Sequence, residues 1–121
     1  MKRSKINECI KEMKKLVKEN GFHLPPFCDF TPEGWKTKGH EYDEIRDNML
    51  GWDITDYGLN DWDKVGFALI TLRNGNQNNP KYKKVYAEKL LMLKEGQHSP
   101  MHFHWNKSED IINRGGGTLI I

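Results

Sequence analysis

The 121-residue sequence contains only two cysteines, Cys9 and Cys28, too few for the disulfide framework of a small secreted domain. Cys9 falls on the apolar face of a helical stretch, which fits a buried free thiol in a reducing cytoplasm. No uninterrupted apolar run exceeds four residues, which excludes a membrane-spanning helix. The opening Met1-Lys2-Arg3-Ser4-Lys5 leads into a polar amphipathic stretch and not into the apolar core of a signal peptide. Excess charge of one sign is also missing. Lys and Arg number 19 against 17 Asp and Glu, a net charge of +2. The one dense basic run, Lys2 to Lys18, lies along a single helix, so no phosphate-tracking surface for nucleic acid is expected. There is no internal repeat and no low-complexity stretch. Four Trp, four Tyr and five Phe supply the material of a real core, and the length suits one small domain.

The first element is plain from its periodicity. Ile6, Cys9, Ile10, Met13, Leu16 and Val17 recur at helical spacing with Lys and Glu on the other face, Ser4 as N-cap and Gly21 as the stop. That face reads as core packing and not as a partner-binding surface. His23 to Phe30, with Pro25-Pro26, reads as extended. Thr31-Pro32-Glu33 is an N-cap followed by Pro at the first helical position, which predicts a helical turn over Pro32 to Trp35. A second short helix is expected around Tyr42 to Arg46.

From Gly51 the period changes to two. Trp52, Ile54 and Tyr57 alternate with polar neighbours, Val65 to Leu72 forms a second strand, and Val85 to Leu93 a third. Arg73-Asn74-Gly75-Asn76 is a turn, and Asn74 to Asn79 reads as a mobile loop. A helix followed by short strands predicts a mainly β core with N-terminal helical decoration. Residues 1–50 form the helix and extended arm, and residues 51–121 the strands. Gly115-Gly116-Gly117 reads as a hairpin turn, with Thr118 to Ile121 opening an apolar strand. A strand that starts and stops after four residues suggests the front part of a longer protein.

The chemistry concentrates between Gly96 and Gly116. On a strand, residues i and i+2 point to the same side, so His102 and His104 project together and Phe103 points away. Trp105-Asn106-Lys107-Ser108 is enough chain for a tight turn that returns Glu109 toward both imidazoles. Two neutral imidazoles and one carboxylate suit a divalent first-row metal with open coordination positions. Phe103 and Trp105 read as packing residues, and Lys107 and Lys89 are as compatible with ordinary exposed lysines as with a site. The acidic cluster Glu41, Asp43 and Glu44 reads as a solvated face, with His40 beside it a weaker second site. His98 reads as surface.

Gly96, five residues, His102-x-His104, four residues, Glu109, six residues, Gly116 resembles the first signature motif of the cupin superfamily at every position. Ser99-Pro100-Met101-His102-Phe103-His104-Trp105 and Lys107-x-Glu109-Asp110-Ile111-Ile112-Asn113-Arg114-Gly115-Gly116-Gly117 are similar to D-lyxose isomerases, as are Tyr86-Ala87-Glu88-Lys89-Leu90-Leu91 and Leu24-Pro25-Pro26-Phe27. The resemblance implies a cupin jelly-roll β-barrel, incomplete in this chain, on which residues 1–50 pack. It implies His102, His104 and Glu109 as metal ligands, with manganese first and zinc, cobalt or iron as alternatives. The family's fourth ligand is a histidine well downstream, and none follows Gly116 here. The implied reaction interconverts an aldose and a ketose, of the D-lyxose to D-xylulose type, through an enediolate at C1–C2. Lys107, Lys89 and Glu109 are the expected catalytic groups. Of Glu88 and Lys89 only one can face a cavity on an alternating strand, and a cation better offsets developing anionic charge. The resemblance further implies a homodimer acting on a small sugar, in the cytoplasm to which the cysteines point. An incomplete barrel with an unpaired apolar edge is expected to leave the 121-residue chain poorly soluble or inactive by itself. Two-histidine, one-carboxylate cupin sites also support iron-dependent oxygenation, and a non-catalytic sugar-binding module is the third reading.

Overall fold

In the computed structural model, which describes all of residues 1–121, helix α1 runs over Arg3–Glu19. It is followed by a 3-10 turn at Pro26–Asp29, helix α2 at Pro32–Lys36, a 3-10 turn at His40–Tyr42 and helix α3 at Asp43–Asp47. Strands β1 (Gly51–Thr55), β2 (Phe67–Arg73) and β3 (Glu88–Met92) then form one antiparallel sheet in the order β1-β2-β3. Helix α1 alone holds 17 residues, as many as the three strands together. The chain is therefore a small mixed α/β unit, where composition and turn spacing predicted a mainly β one.

Residues at positions i, i+4 and i+8 of α1 explain how it meets the sheet. Cys9, Met13 and Val17 are buried in one cluster with Cys28, Trp62, Ala68, Ile70 and Met92. The register does the rest. Ile70 stands opposite Trp52 and Leu90, and Ala68 opposite Ile54 and Met92, so one face of all three strands is apolar and turned to α1. Ile70 has no exposed surface, and burying such a side chain is worth about 1.5–3 kcal/mol. The Trp52 indole N–H donates to the Cys28 carbonyl at 3.0 Å, fastening β1 to the 3-10 turn. The opposite face of the sheet carries Asp53, Leu69, Thr71, Lys89 and Leu91.

Several local expectations need correction. The boundary residue of α1 is Lys2 and no side chain caps the helix, so Ser4 lies inside the first turn. Pro25 is extended, but Pro26 to Asp29 wind into the 3-10 turn because proline's fixed φ also suits the start of a helical turn. Thr31 caps α2 as predicted, accepting the Gly34 N–H at 3.0 Å. The loop at Asn74 to Asn79 is tied down: Asn74 and Asn76 donate side-chain N–H groups to the Asn48 and Asp47 carbonyls, both at 3.1 Å. The third strand begins at Glu88, three residues later than expected, and Tyr57 leaves the alternation with a left-handed φ of 55°. Residues 101–121 form no strand. Thr118 to Ile121 have no neighbouring strand to pair with, and Ile121 is 92% exposed.

Two helices end in the same way with different residues. At α1, Phe22 N–H donates to Val17 O and Gly21 N–H to Lys18 O, with Gly21 at φ 72°. At α3, Leu50 N–H donates to Ile45 O and Met49 N–H to Arg46 O, with Met49 at φ 53°. Both are Schellman caps. Only glycine occupies this left-handed position without a Cβ penalty. Met49 is 79% exposed and has little packing to lose. Met49→Gly is expected to raise unfolding free energy by up to about 1 kcal/mol, and Gly21→Ala to lower it by about 1 kcal/mol, in urea titrations.

Burial also pushes the Cys28 thiol from its ordinary 9.0 up to about 11, with Asp29 adding to the rise. The folded state thus favours the neutral thiol. This contribution is complete below about 9 and is lost as pH rises through about 11. Iodoacetamide at pH 8 is expected to leave Cys28 unmodified in the native protein and to label it once urea unfolds the chain.

Candidate functional site

The approach to the histidine segment is held firmly by backbone contacts. Gly96 turns the chain at φ 72° after β3. The Gln97 side chain accepts the Lys94 N–H at 3.0 Å and donates to the Trp62 carbonyl. His98 N–H donates to Lys64 O at 2.9 Å, Gly66 N–H donates to His98 O at 3.1 Å, and Val65 and His98 form an isolated parallel bridge. A Cβ on Gly66 would lie 2.6 Å from the Trp62 ring, so this crossing accepts only glycine at that point. Ser99 follows, its hydroxyl 2.6 Å from the Tyr57 hydroxyl.

Beyond Ser99 the rings alternate although no ladder is formed. His102 and His104 lie edge to face with centroids 5.1 Å apart, and Phe103 and Trp105 do the same at 4.8 Å. Phe103 and Trp105 are exposed, Trp105 by 86%, so neither packs into the core as expected. The four residues after His104 do return the carboxylate. Glu109 Oε2 lies 3.3 Å from His104 Nε2, and Glu109 Oε1 is engaged by the Lys107 ammonium. The Lys107 hydrogen bond holds the Glu109 carboxyl below its ordinary value of 4.5, helped by the charges of Lys107, His104 and Lys89. Lys89 stands on the sheet face opposite the core, in register with Thr71. Glu88 pairs with Arg73 instead.

His102 thus adjoins His104, and His104 adjoins Glu109, so the carboxylate returns to one of the two imidazoles expected. No group of three His, Cys, Asp or Glu side chains meets closely enough around one point to hold a metal ion. The donor chemistry nevertheless fits such an ion. His102 Nδ1 lies 2.9 Å from the Pro100 carbonyl; a carbonyl only accepts, so Nδ1 carries the proton and the neutral ring's Nε2 keeps its lone pair. The ordering of one ring nitrogen by a backbone carbonyl is the usual support of a metal-ligating histidine. Glu109 contributes an ionised carboxylate. The second acidic cluster is spent locally: Glu41 accepts the Gly39 N–H at 3.1 Å, His40 bonds Asp43 at 3.0 Å, and Glu44 pairs with Lys84.

The Tyr57–Ser99 contact spans 42 positions of sequence and was not foreseen. Its single local trace is the Asp56-Tyr57-Gly58 turn. No helix of the chain is long and apolar enough to cross a membrane.

The chain belongs to the D-lyxose isomerase family, whose model matches residues 1–121. It is 45% identical over 122 aligned residues to a D-lyxose/D-mannose isomerase of Escherichia coli O157:H7, and 44% identical to one of Serratia proteamaculans. The whole chain is covered in both alignments but only 54% of each relative, so it spans about half their length.

The electrostatics of Glu109 give a direct check. Its depressed carboxyl value means that the ion pair with Lys107 is complete above the ordinary carboxylate range and is lost as pH falls through the lowered value. Lys107→Met is expected to move the Glu109 titration upward toward 4.5 in side-chain carboxyl NMR. Both partners are nearly half exposed, so the melting temperature should hardly change.

Proposed function

We propose that the chain carries the metal-binding part of an aldose–ketose isomerase built on a cupin jelly roll and acting on free sugars of the D-lyxose or D-mannose kind. The supporting observation is the grouping of His102, with Nε2 left free by the Pro100 contact, beside His104, Glu109 and Lys107. Two relatives named D-lyxose/D-mannose isomerase align along the whole of this chain.

The reaction needs no outside oxidant. A hydrogen leaves C2 and arrives at C1, while the proton of the C2 hydroxyl moves to the oxygen on C1; the aldehyde becomes an alcohol and C2 a ketone. A divalent ion, manganese first among the choices, supplies Lewis-acid polarisation of two neighbouring sugar oxygens when bound. His102 and His104 would hold it through ring nitrogens and Glu109 through its carboxylate. Lys107 and Lys89 bring fixed positive charge to the same carboxylate. They would offset the negative charge that builds on the sugar oxygens as the C2 proton departs. Glu109, kept ionised by these neighbours, suits the ligand role, since a carboxyl held below its ordinary value is a weak proton acceptor.

The test pairs metal analysis with an aldose panel. The chain is expected to take up Mn2+, and His102→Ala and Glu109→Gln to weaken that uptake at least about tenfold. Unchanged metal content in His102→Ala would overturn the ligand assignment. Conversion of D-lyxose or D-mannose to the matching ketose without oxygen uptake supports the isomerase reading. Oxygen consumption would replace it with an oxygenase.

A further inference from the structure

Residues 100–121 make no hydrogen bond and no ion pair with the rest of the chain; their polar contacts stay within the segment. The last polar tie before the histidines is the bond between the hydroxyls of Ser99 and Tyr57, 2.6 Å long. The segment meets the body again only further on, where Arg114 lies over the Phe22 ring at 5.8 Å; on the approach to His102 the Ser99–Tyr57 bond is the nearest tie.

Tyr57 is held there with unusual determination. Its φ of 55° is one that L side chains rarely adopt, and it is a bulky aromatic residue. Three contacts keep it in place. Tyr57 N–H donates to Thr55 Oγ1 at 2.9 Å, Gly58 N–H to Asp56 Oδ1 at 3.0 Å, and Leu59 N–H to Asp56 O at 3.0 Å. Asp56 is itself buried, which anchors the turn. A backbone in such a region persists only where its surroundings over-determine it, and such positions cluster at functional sites. Here the effect is to aim the phenol at Ser99. One residue further on, the Pro100 carbonyl receives the His102 Nδ1 proton at 2.9 Å.

We propose that Tyr57 is a positioning residue for His102: by fixing Ser99 it places the Pro100 carbonyl that holds His102 in the tautomer with Nε2 unprotonated. The inference rests on the reading of His102 as a ligand for what the ring is used for, but not for the contact chain itself. It assigns to the β1–β2 connection a share in preparing the site, through a turn 45 residues upstream of the histidine.

The experiment uses the full chain and two readouts. In long-range proton–nitrogen NMR of the histidine rings at a pH where His102 is neutral, the native protein is expected to show the Nδ1–H form. Tyr57→Phe, which removes only the hydroxyl, should convert a substantial share of His102 to the Nε2–H form, as should Ser99→Ala. The double variant should be no worse than either single one, because both remove the same bond. Tyr57→Gly relieves the backbone while losing the phenol. It should melt no lower than Tyr57→Phe and still lose the tautomer, separating positioning from stability. The second readout is affinity for Zn2+ alone, expected to fall about tenfold in Tyr57→Phe. A native tautomer population in Tyr57→Phe overturns the proposal whatever Zn2+ does. If the native chain binds no Zn2+, the metal reading fails while the tautomer comparison still decides the role of Tyr57.

Discussion

Strand β2 is the constraint on which the rest of the chain depends. Ala68 and Ile70 are closed off from solvent by α1 and by the two neighbouring strands, and Leu69 and Thr71 are buried on the other face. A strand buried on both faces admits no slip of one residue, since every side chain would then exchange environments. The fixed register places Trp52 and Leu90 beside Ile70 and leaves Lys89 opposite Thr71 on the far face. The face on which Lys89 stands is thus a consequence of hydrophobic packing some distance from any chemistry.

The same body hands its order to the histidine segment through a narrow neck. Residues 94–99 are fastened by Gln97, by the crossing of His98 with Lys64 to Gly66, and by Ser99. Past that neck, the local contacts are those that neighbours in sequence can make alone: ring on ring at i and i+2, lysine on glutamate at i and i+2. Exposed Met101, Phe103, Trp105, Ile111, Ile112, Ile120 and Ile121 follow.

What could be read from the sequence follows the range of the forces involved. The α1 face, the Thr31 cap and the cores of β1, β2 and β3 depend on periodicity or on contacts a few residues apart, and all were legible. The pairing of His104 with Glu109 was legible too, because four residues are enough to bring the carboxylate back. The expected strand at His102 was not formed, since a strand requires partners for its backbone groups and pattern alone supplies none. The ties of Asn74 and Asn76 to the end of α3, and of Tyr57 to Ser99, join residues 26 to 42 positions apart. No local signal announces such contacts.

The non-glycine residues with positive φ carry this reasoning one step further. Met49, Tyr57 and Asn60 are the only three, and all lie between α3 and β2, flanking β1. Each left-handed L residue costs on the order of 1–2 kcal/mol. Met49 spends that cost on reversing the chain so that β1 can enter the sheet against Cys28. The turn containing Tyr57 and Asn60 spends it on the exit from β1, where the chain must pass Trp62 and meet the crossing at His98. A chain free to relax these positions would place β1 less exactly and lose the Tyr57 hydroxyl from Ser99. The stability of the β2 core therefore sustains the strain, and the strain in turn gives direction to the segment that bears the histidines.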